Sequence, residues 1–289
     1  MRRFTLTIFA AVASIALQAC TLMTPRGPDN ALEHPEILQA LTQDMNLISF
    51  QATNPSRILN TVAVKGLRSG DSIIGIDYRV SKNTLYAVSR AGQVYTLNST
   101  SGVLTPVGAN PHIKLIGSKF GVNFNPAADR IRVVSDKGQN LRFNPDTGIL
   151  AGTDTTLRYA ENDVQEADVS TVGATAYTFN AKNDQMTTNF VIDMRLGLLA
   201  RQGSQEGREP VLSPNTGWLN TIAPLGTGPL ERAALDISST NNKAFLAAQK
   251  KNDNTTRLYI VDLNQGKATQ LGVIDAGPLI GLTVKPLQP

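Results

Sequence analysis

Cysteine is almost absent from this chain: Cys20 is the only one in 289 residues. With none left in the body of the chain, a thiol nucleophile and a cysteine-ligated metal are both excluded there. A chain bound for an oxidising compartment pairs its cysteines or avoids them, and this one avoids them. Histidine is as scarce. His34 lies in a proline-rich stretch and His112 in the loop "NPHIK", so the pair cannot supply a zinc site or a serine–histidine couple. No glycine-rich loop follows a strand and opens a helix, which removes the common phosphate-binding loops. Charge of one sign is also missing. The chain holds 27 basic and 23 acidic residues, and removing residues 1–19 leaves 25 against 23. The densest basic cluster is Lys250 with Lys251, so the pI near 9.2 does not argue for a nucleic-acid partner, and none is expected. No apolar run beyond residue 20 reaches membrane-spanning length.

What is there begins with an address. "MRRFTLTIFAAVASIALQAC" has a positive start at Arg2 and Arg3, a short apolar core from Phe4 to Leu17, and the ending "LQAC". Leu17, Ala19 and Cys20 match a lipobox, in which the cysteine is acylated and becomes the mature N-terminus; Gln18 departs from the usual small residue. The reading competes with a plain cleaved secretory signal, and with a twin-arginine signal that "FTLT" fits poorly. The expected organisation is a lipoprotein signal peptide over 1–19, a lipidated N-terminus and tether over 20–36, one domain over 37–285 and a tail over 286–289. Thr21 stands where an aspartate would favour inner-membrane retention, so the expected location is the cell envelope, lipid-anchored at Cys20, at the outer membrane.

The body of the chain repeats. "GIDYRVSKNTLYAVSRAGQVYTLNSTSGVLTPVG" (75–108) aligns with 121–160 through the same order of four strands and two turns. "TLYAVS" matches "RIRVVS", "RAGQ" matches "DKGQ", and "STSG" matches "PDTG". Residues 173–225 repeat the order loosely, around a long loop at 203–217, and 234–274 repeat it with a longer second turn. The first unit, 37–64, lacks its first strand, and "GLTV" (281–284) is a first strand with nothing after it. Antiparallel four-stranded units at this spacing are propeller blades. The split unit predicts an all-β, five-bladed β-propeller closed by strands from both termini. A six-bladed ring, made by splitting 153–230, is the alternative, and a two-layer sandwich leaves the phase shift of the ends unexplained.

Two groups of residues are candidates for function. The stretch "GVNFNPAADRIRVVSDKGQNLRFNPDTG" (121–148) is mostly turn chemistry: "SDKGQ" and "NPDTG" have counterparts in the preceding unit. A calcium loop through Asp136, Asn140, Asn144 and Asp146 lacks the spacing of an EF-hand. Arg130, Arg132 and Arg142 stand where other units carry Thr, Tyr or Phe. They read as salt-bridged contacts between blades, with Asp129 or Asp136 as local partners, or as an anion site in the funnel. The second group is one position of every first strand: Asp77, Asn123, Thr175, Asp236 and Thr283. First strands are innermost, so these five are expected to ring the axis, either offering polar groups to a ligand or satisfying backbone groups of the neighbouring blade.

With "GVNFNPAADRIRVVSDKGQNLRFNPDTG", "GIDYR…LYAV…GQVYTLN" and "RLYIVDLNQGKATQLG" on the page, the chain resembles the bacterial domain of unknown function 4394 over about residues 37–285. The resemblance implies a β-propeller of secreted and surface proteins and brings no catalytic residue with it. The expected function is an envelope-anchored binding or scaffolding domain. Its expected partners are the membrane, through the lipid, and an envelope protein or glycan. No catalytic residue, cofactor or metal is assigned. The alternatives are a purely structural envelope role and a glycosidase-like hydrolase using funnel carboxylates, for which Asp77 and Asp236 are the acids at the recurrent position.

Overall fold

The structure is a computed structural model that describes Met1 and residues 34–109 and 113–287. Cys20 and the signal and tether segments before residue 34 therefore lie outside the described residues, as does His112. The fold is a ring of five small antiparallel sheets. Blade 1 holds β1 (Ile37–Thr42), β2 (Asn46–Gln51) and β3 (Asn54–Ala63). Blade 2 holds β4 (Ile73–Arg79), β5 (Thr84–Ser89), β6 (Val94–Leu97) and β7 (Leu104–Pro106). Blade 3 holds β8 (Phe120–Asn125), β9 (Arg130–Ser135), β10 (Asn140–Phe143) and β11 (Leu150–Thr153). Blade 4 holds β12 (Arg158–Tyr159), β13 (Val172–Tyr177), β14 (Asn189–Asp193), β15 (Leu198–Gln202) and β16 (Trp218–Pro224). Blade 5 holds β17 (Leu230–Ile237), β18 (Ala244–Lys250), β19 (Thr256–Val261) and β20 (Ala268–Val273). The last strand, β21 (Leu279–Val284), pairs with β1 and completes blade 1.

That pairing is the closure expected from the split unit: Leu38 faces Val284, Gln39 faces Thr283 and Ala40 faces Leu282. β21 then packs on β4 on one side and β17 on the other, so the ring has no gap at the chain ends. One boundary differs from expectation. Residues 158–159 do not end blade 3; they form β12, which adds in parallel to β16 as a fifth, outer strand of blade 4. The parallel register brings Arg158 over the Trp218 ring at 4.0 Å, and the pair covers an edge that would otherwise be open.

Burial follows distance from the axis. The innermost strands β4 and β13 are buried at every position, whereas the outermost β3, β11 and β20 are mostly half-buried or exposed. Inner strands are sandwiched by two neighbouring blades, so they read as apolar runs without alternation. The core is accordingly split into five apolar clusters, one at each seam between blades. Large side chains such as Phe50, Phe143 and Phe245 fill these seams and are fully buried. No helix among the described residues is long and apolar enough to cross a membrane.

Candidate functional site

The recurrent residues come together, one from each blade, on β4, β8, β13, β17 and β21. All five are buried. They form a hydrogen-bonded plug across the axis. Asp77 Oδ2 accepts from Phe124 N of the next blade at 2.7 Å, and Asn123 Oδ1 accepts from Tyr177 N at 3.0 Å. Asp236 Oδ2 accepts from Val284 N at 2.6 Å. Each of these polar atoms therefore takes a backbone donor that a neighbouring inner strand leaves unpaired. Asn123 also reaches across the axis, donating from Nδ2 to Asp236 Oδ1 at 3.0 Å. Thr175 turns the other way, into its own blade, and donates to Asn189 Oδ1 at 2.7 Å.

The two acids are joined through one hydroxyl. Thr283 Oγ1 lies 2.9 Å from Asp77 Oδ1 and 3.0 Å from Asp236 Oδ2. A hydroxyl has one hydrogen, so it cannot donate a full hydrogen bond to both carboxylates. The arrangement closes if Asp77 is the protonated partner, donating to Thr283 Oγ1, while Thr283 donates to an ionised Asp236. The environment agrees. Burial, and then the Asp236 charge, push the Asp77 carboxyl well above its ordinary value. Burial pushes Asp236 up to about 6, opposed by hydrogen bonds from Val284, Ile237, Asn123 and Thr283, which favour its anion.

Packing above the plug seals it. Two residues before each polar position stands Gly75, Gly121, Gly173, Ala234 or Gly281. At Gly121 a Cβ would lie 2.7 Å from Thr175 N and 2.8 Å from Ala174 C, both backbone atoms of the next blade. Only glycine allows blades 3 and 4 to approach so closely. The space left along the axis at this level is about 10 Å³, room for no more than about one water.

The arginines are not in the funnel. Arg132 is 1% exposed and sits in the seam between blades 3 and 4. It donates to Tyr177 Oη, Asn140 Oδ1, Asp154 Oδ2 and, at 2.7 Å, Asn215 Oδ1 from the long blade 4 loop. Arg142 makes a forked pair with the same Asp154, at 2.8 and 2.9 Å. The carboxylate partner is thus Asp154, not the expected Asp129 or Asp136. Asp129 and Asp146 instead hold Arg79 of blade 2, and Asp136 accepts from Ser118 and Lys119. Arg130 bonds only the carbonyls of its own turn. In "NPDTG" the side chain that caps the turn is Asn144, not Asp146, leaving Asp146 for the inter-blade pair.

The open part of the axis lies above the plug, on the face where the inner strands begin. There a cavity of about 380 Å³ is lined from all five blades. Its wall is apolar at Ile73, Phe120, Met194, Leu279 and Ile280, and its charged lining is Arg90, Lys119 and Arg232. The guanidinium of Arg90 lies 4.9 Å over the Phe120 ring and donates to Gly117 O at 2.7 Å. Arg232 donates to Gln43 Oε1 at 3.1 Å. Lys119 pairs with Glu231 at 2.6 Å, which holds the Glu231 carboxyl below its usual value. On the opposite face a second cavity, about 320 Å³, is lined by Phe124, Phe179 and Met186 with the Arg79–Asp129 pair at its edge.

A family's sequence profile matches residues 46–283. The chain belongs to that family, described as Domain of unknown function (DUF4394). The comparison with curated proteins finds no match. Solved structures resemble the DUF4394 domain at low identity. A chain of a nidogen/laminin complex is 11% identical with a TM-score of 0.48, covering 88% of this chain and 99% of that one. A protein of unknown function from Bacteroides thetaiotaomicron is 12% identical at 0.46, covering 80% of this chain, which spans 58% of that one. A putative 6-phosphogluconolactonase from Bacteroides uniformis is 13% identical at 0.42, covering 82% of each. The strand pairings of the DUF4394 domain, not these likenesses, define its five blades.

Sequence reasoning placed the recurrent residues at the axis but missed the funnel lining above them. The signal was present. Lys119 and Arg232 stand four residues before Asn123 and Asp236, and a strand repeats its faces every two residues, so both share the axial side. Arg90 belongs to the turn "SRAGQ" and gives no such cue. In this DUF4394 domain the polar ring is the floor and the cations are the rim.

Proposed function

We propose that the protein is a lipid-anchored binding module of the bacterial cell envelope, held through Cys20, whose recognition surface is the axial funnel. One observation carries the reading: all five blades line an open cavity directly above a sealed, self-satisfied floor. A rigid ring of this kind presents side chains from separate blades in fixed positions without giving a substrate access to the axial acids. The hydrolase alternative needs two carboxylates facing one open pocket. Asp77 and Asp236 are buried and bonded to each other through Thr283, and among the described residues the charged lining of the funnel is entirely basic.

The exit of the chain fits an anchored receptor. Glu36, just before β1, accepts from Asn241 at 2.8 Å in the turn after β17, on the face opposite the funnel. A tether running from Cys20 to Glu36 would leave from that far face, and the funnel mouth would turn away from the bilayer. The experiment compares variants in cells. Cys20→Ser should release the protein from the membrane fraction into the soluble envelope fraction, and the wild type should carry lipid by mass spectrometry. Ala233→Phe should abolish retention of the envelope ligand, and Ser72→Trp, at an exposed position of the same lining, should do so too without touching the seam cluster against which Ala233 packs. A wild type without lipid overturns the anchor, and retention unaffected by Ala233→Phe overturns the funnel.

A further inference from the structure

We infer that the funnel binds a small polyanion, a molecule carrying two or more carboxylate or phosphate groups. The inference rests on the binding-module reading and names its ligand class. Three cations from three blades, Arg90 of blade 2, Lys119 of blade 3 and Arg232 of blade 5, are the whole charged lining of the cavity among the described residues. Among the described residues neither guanidinium has a carboxylate at ion-pair distance: Arg90 meets a carbonyl and an aromatic ring, and Arg232 meets a glutamine oxygen, with the Glu231 charge acting on it from farther off. Both keep N–H donors for an incoming anion, and an arginine fork matches carboxylate and phosphate oxygens.

The surroundings strengthen such a contact. The apolar wall of Ile73, Phe120, Leu279 and Ile280 lowers the local dielectric, and the floor at Gly173 and Ala233 carries no competing charge. The volume of about 380 Å³ suits a compact molecule and not the chain of a polymer. Lys119 is a latent third cation. Glu231, an exposed residue outside the cavity lining, holds its ammonium at 2.6 Å. A bound anion would compete with Glu231 for Lys119, so the glutamate tunes the site.

Citrate, fructose 1,6-bisphosphate and the neutral sugar maltose are titrated calorimetrically into the soluble Cys20→Ser protein at low and physiological salt. The expected result is binding of citrate or the bisphosphate without maltose, weakening as salt rises. Preference between the two anions distinguishes a carboxylate source from a phosphate source. Arg90→Gln and Arg232→Gln should each weaken binding by about tenfold, the loss of one charge-assisted pair. Glu231→Gln should tighten it severalfold, an effect that a merely structural role for Lys119–Glu231 would not give. Absence of binding by both anions at low salt, or binding indifferent to both arginine changes, overturns the inference. The wider reading has its own test. An envelope ligand lost in Ala233→Phe but kept in the double arginine variant leaves the funnel as the site and discards the polyanion; a ligand kept in both discards the funnel.

Discussion

Asp77→Asn should make the protein more stable at neutral pH, although it removes a buried side chain from the centre of the ring. Burial and the Asp236 charge favour the protonated form of Asp77, which is also the form that completes the Asp77–Thr283–Asp236 chain. Asparagine reproduces that geometry: its oxygen accepts from Phe124 N, and its amide donates to Thr283 Oγ1, which still donates to Asp236. The magnitude follows from linkage. An acid whose folded pKa lies above its unfolded value binds more protons folded than unfolded between the two. Its stabilising effect is complete below the unfolded pKa, near 3.8, and is lost as pH rises through the folded one. Each pH unit inside that window costs about 1.4 kcal/mol per group. Asp236, raised to about 6, ceases to contribute to the slope above that pH, whereas Asp77 goes on. Asparagine carries no such penalty, so the variant should gain on wild type as pH rises from the unfolded value towards the raised folded one, by at most about 1.4 kcal/mol per pH unit. Imperfect amide geometry should subtract about 1 kcal/mol at every pH, so the gain is read from the slope. Urea melts of both proteins from pH 4.5 to 8 measure the difference, in which titrating groups away from the Asp77–Thr283–Asp236 chain cancel. A difference that does not change with pH, or a variant less stable than wild type at pH 7.5, would refute the protonated-Asp77 arrangement.

Asp236→Asn should behave oppositely, because an amide nitrogen must then face one of the donors at Val284 N, Ile237 N or Asn123 Nδ2; a loss of about 2–4 kcal/mol in urea melts is expected. Arg132→Met leaves Asp154 with Arg142 alone and takes from the buried Tyr177 hydroxyl its partner in the seam, so chemical denaturation should show a loss of about 3–5 kcal/mol. Gly121→Ala forces a methyl against the backbone of Ala174 and Thr175 and should cost about 1–3 kcal/mol, read as a lowered melting temperature without loss of β-sheet signal. Deleting residues 280–289 removes most of β21 and exposes the inner edge of β1; the truncated chain should aggregate or melt without a cooperative transition, and unchanged melting would rule out ring closure by this strand.

The architecture was legible in the sequence because propeller blades are built from local contacts. Strands pair with their sequence neighbours, so the repeat of "LYAV", "RVV" and "FLAA" with its turns gives the blade count directly. The phase shift between 37–64 and 281–284 gives the closure, since a ring must be completed by whatever strand is left over. The recurrence of a short polar residue in five inner strands likewise marked the axis. Only the tertiary structure decided what those residues do there. Their chemistry depends on which atoms of other blades they meet, at sequence separations such as that of Asp77 from Thr283, and on the glycines that bring the blades close enough to exclude water. The same holds for the arginines, whose shared carboxylate Asp154 lies in a segment that no local motif singles out. Of the funnel cations, Arg90 came from a turn whose sequence is indistinguishable from ordinary solvated surface, while Lys119 and Arg232 were marked only by their spacing from the axial residues. The sequence by itself determined the ring and its centre, because both follow from periodicity. The sealed floor, the two acids joined through Thr283 and the basic mouth arise from contacts between blades, which periodicity does not encode.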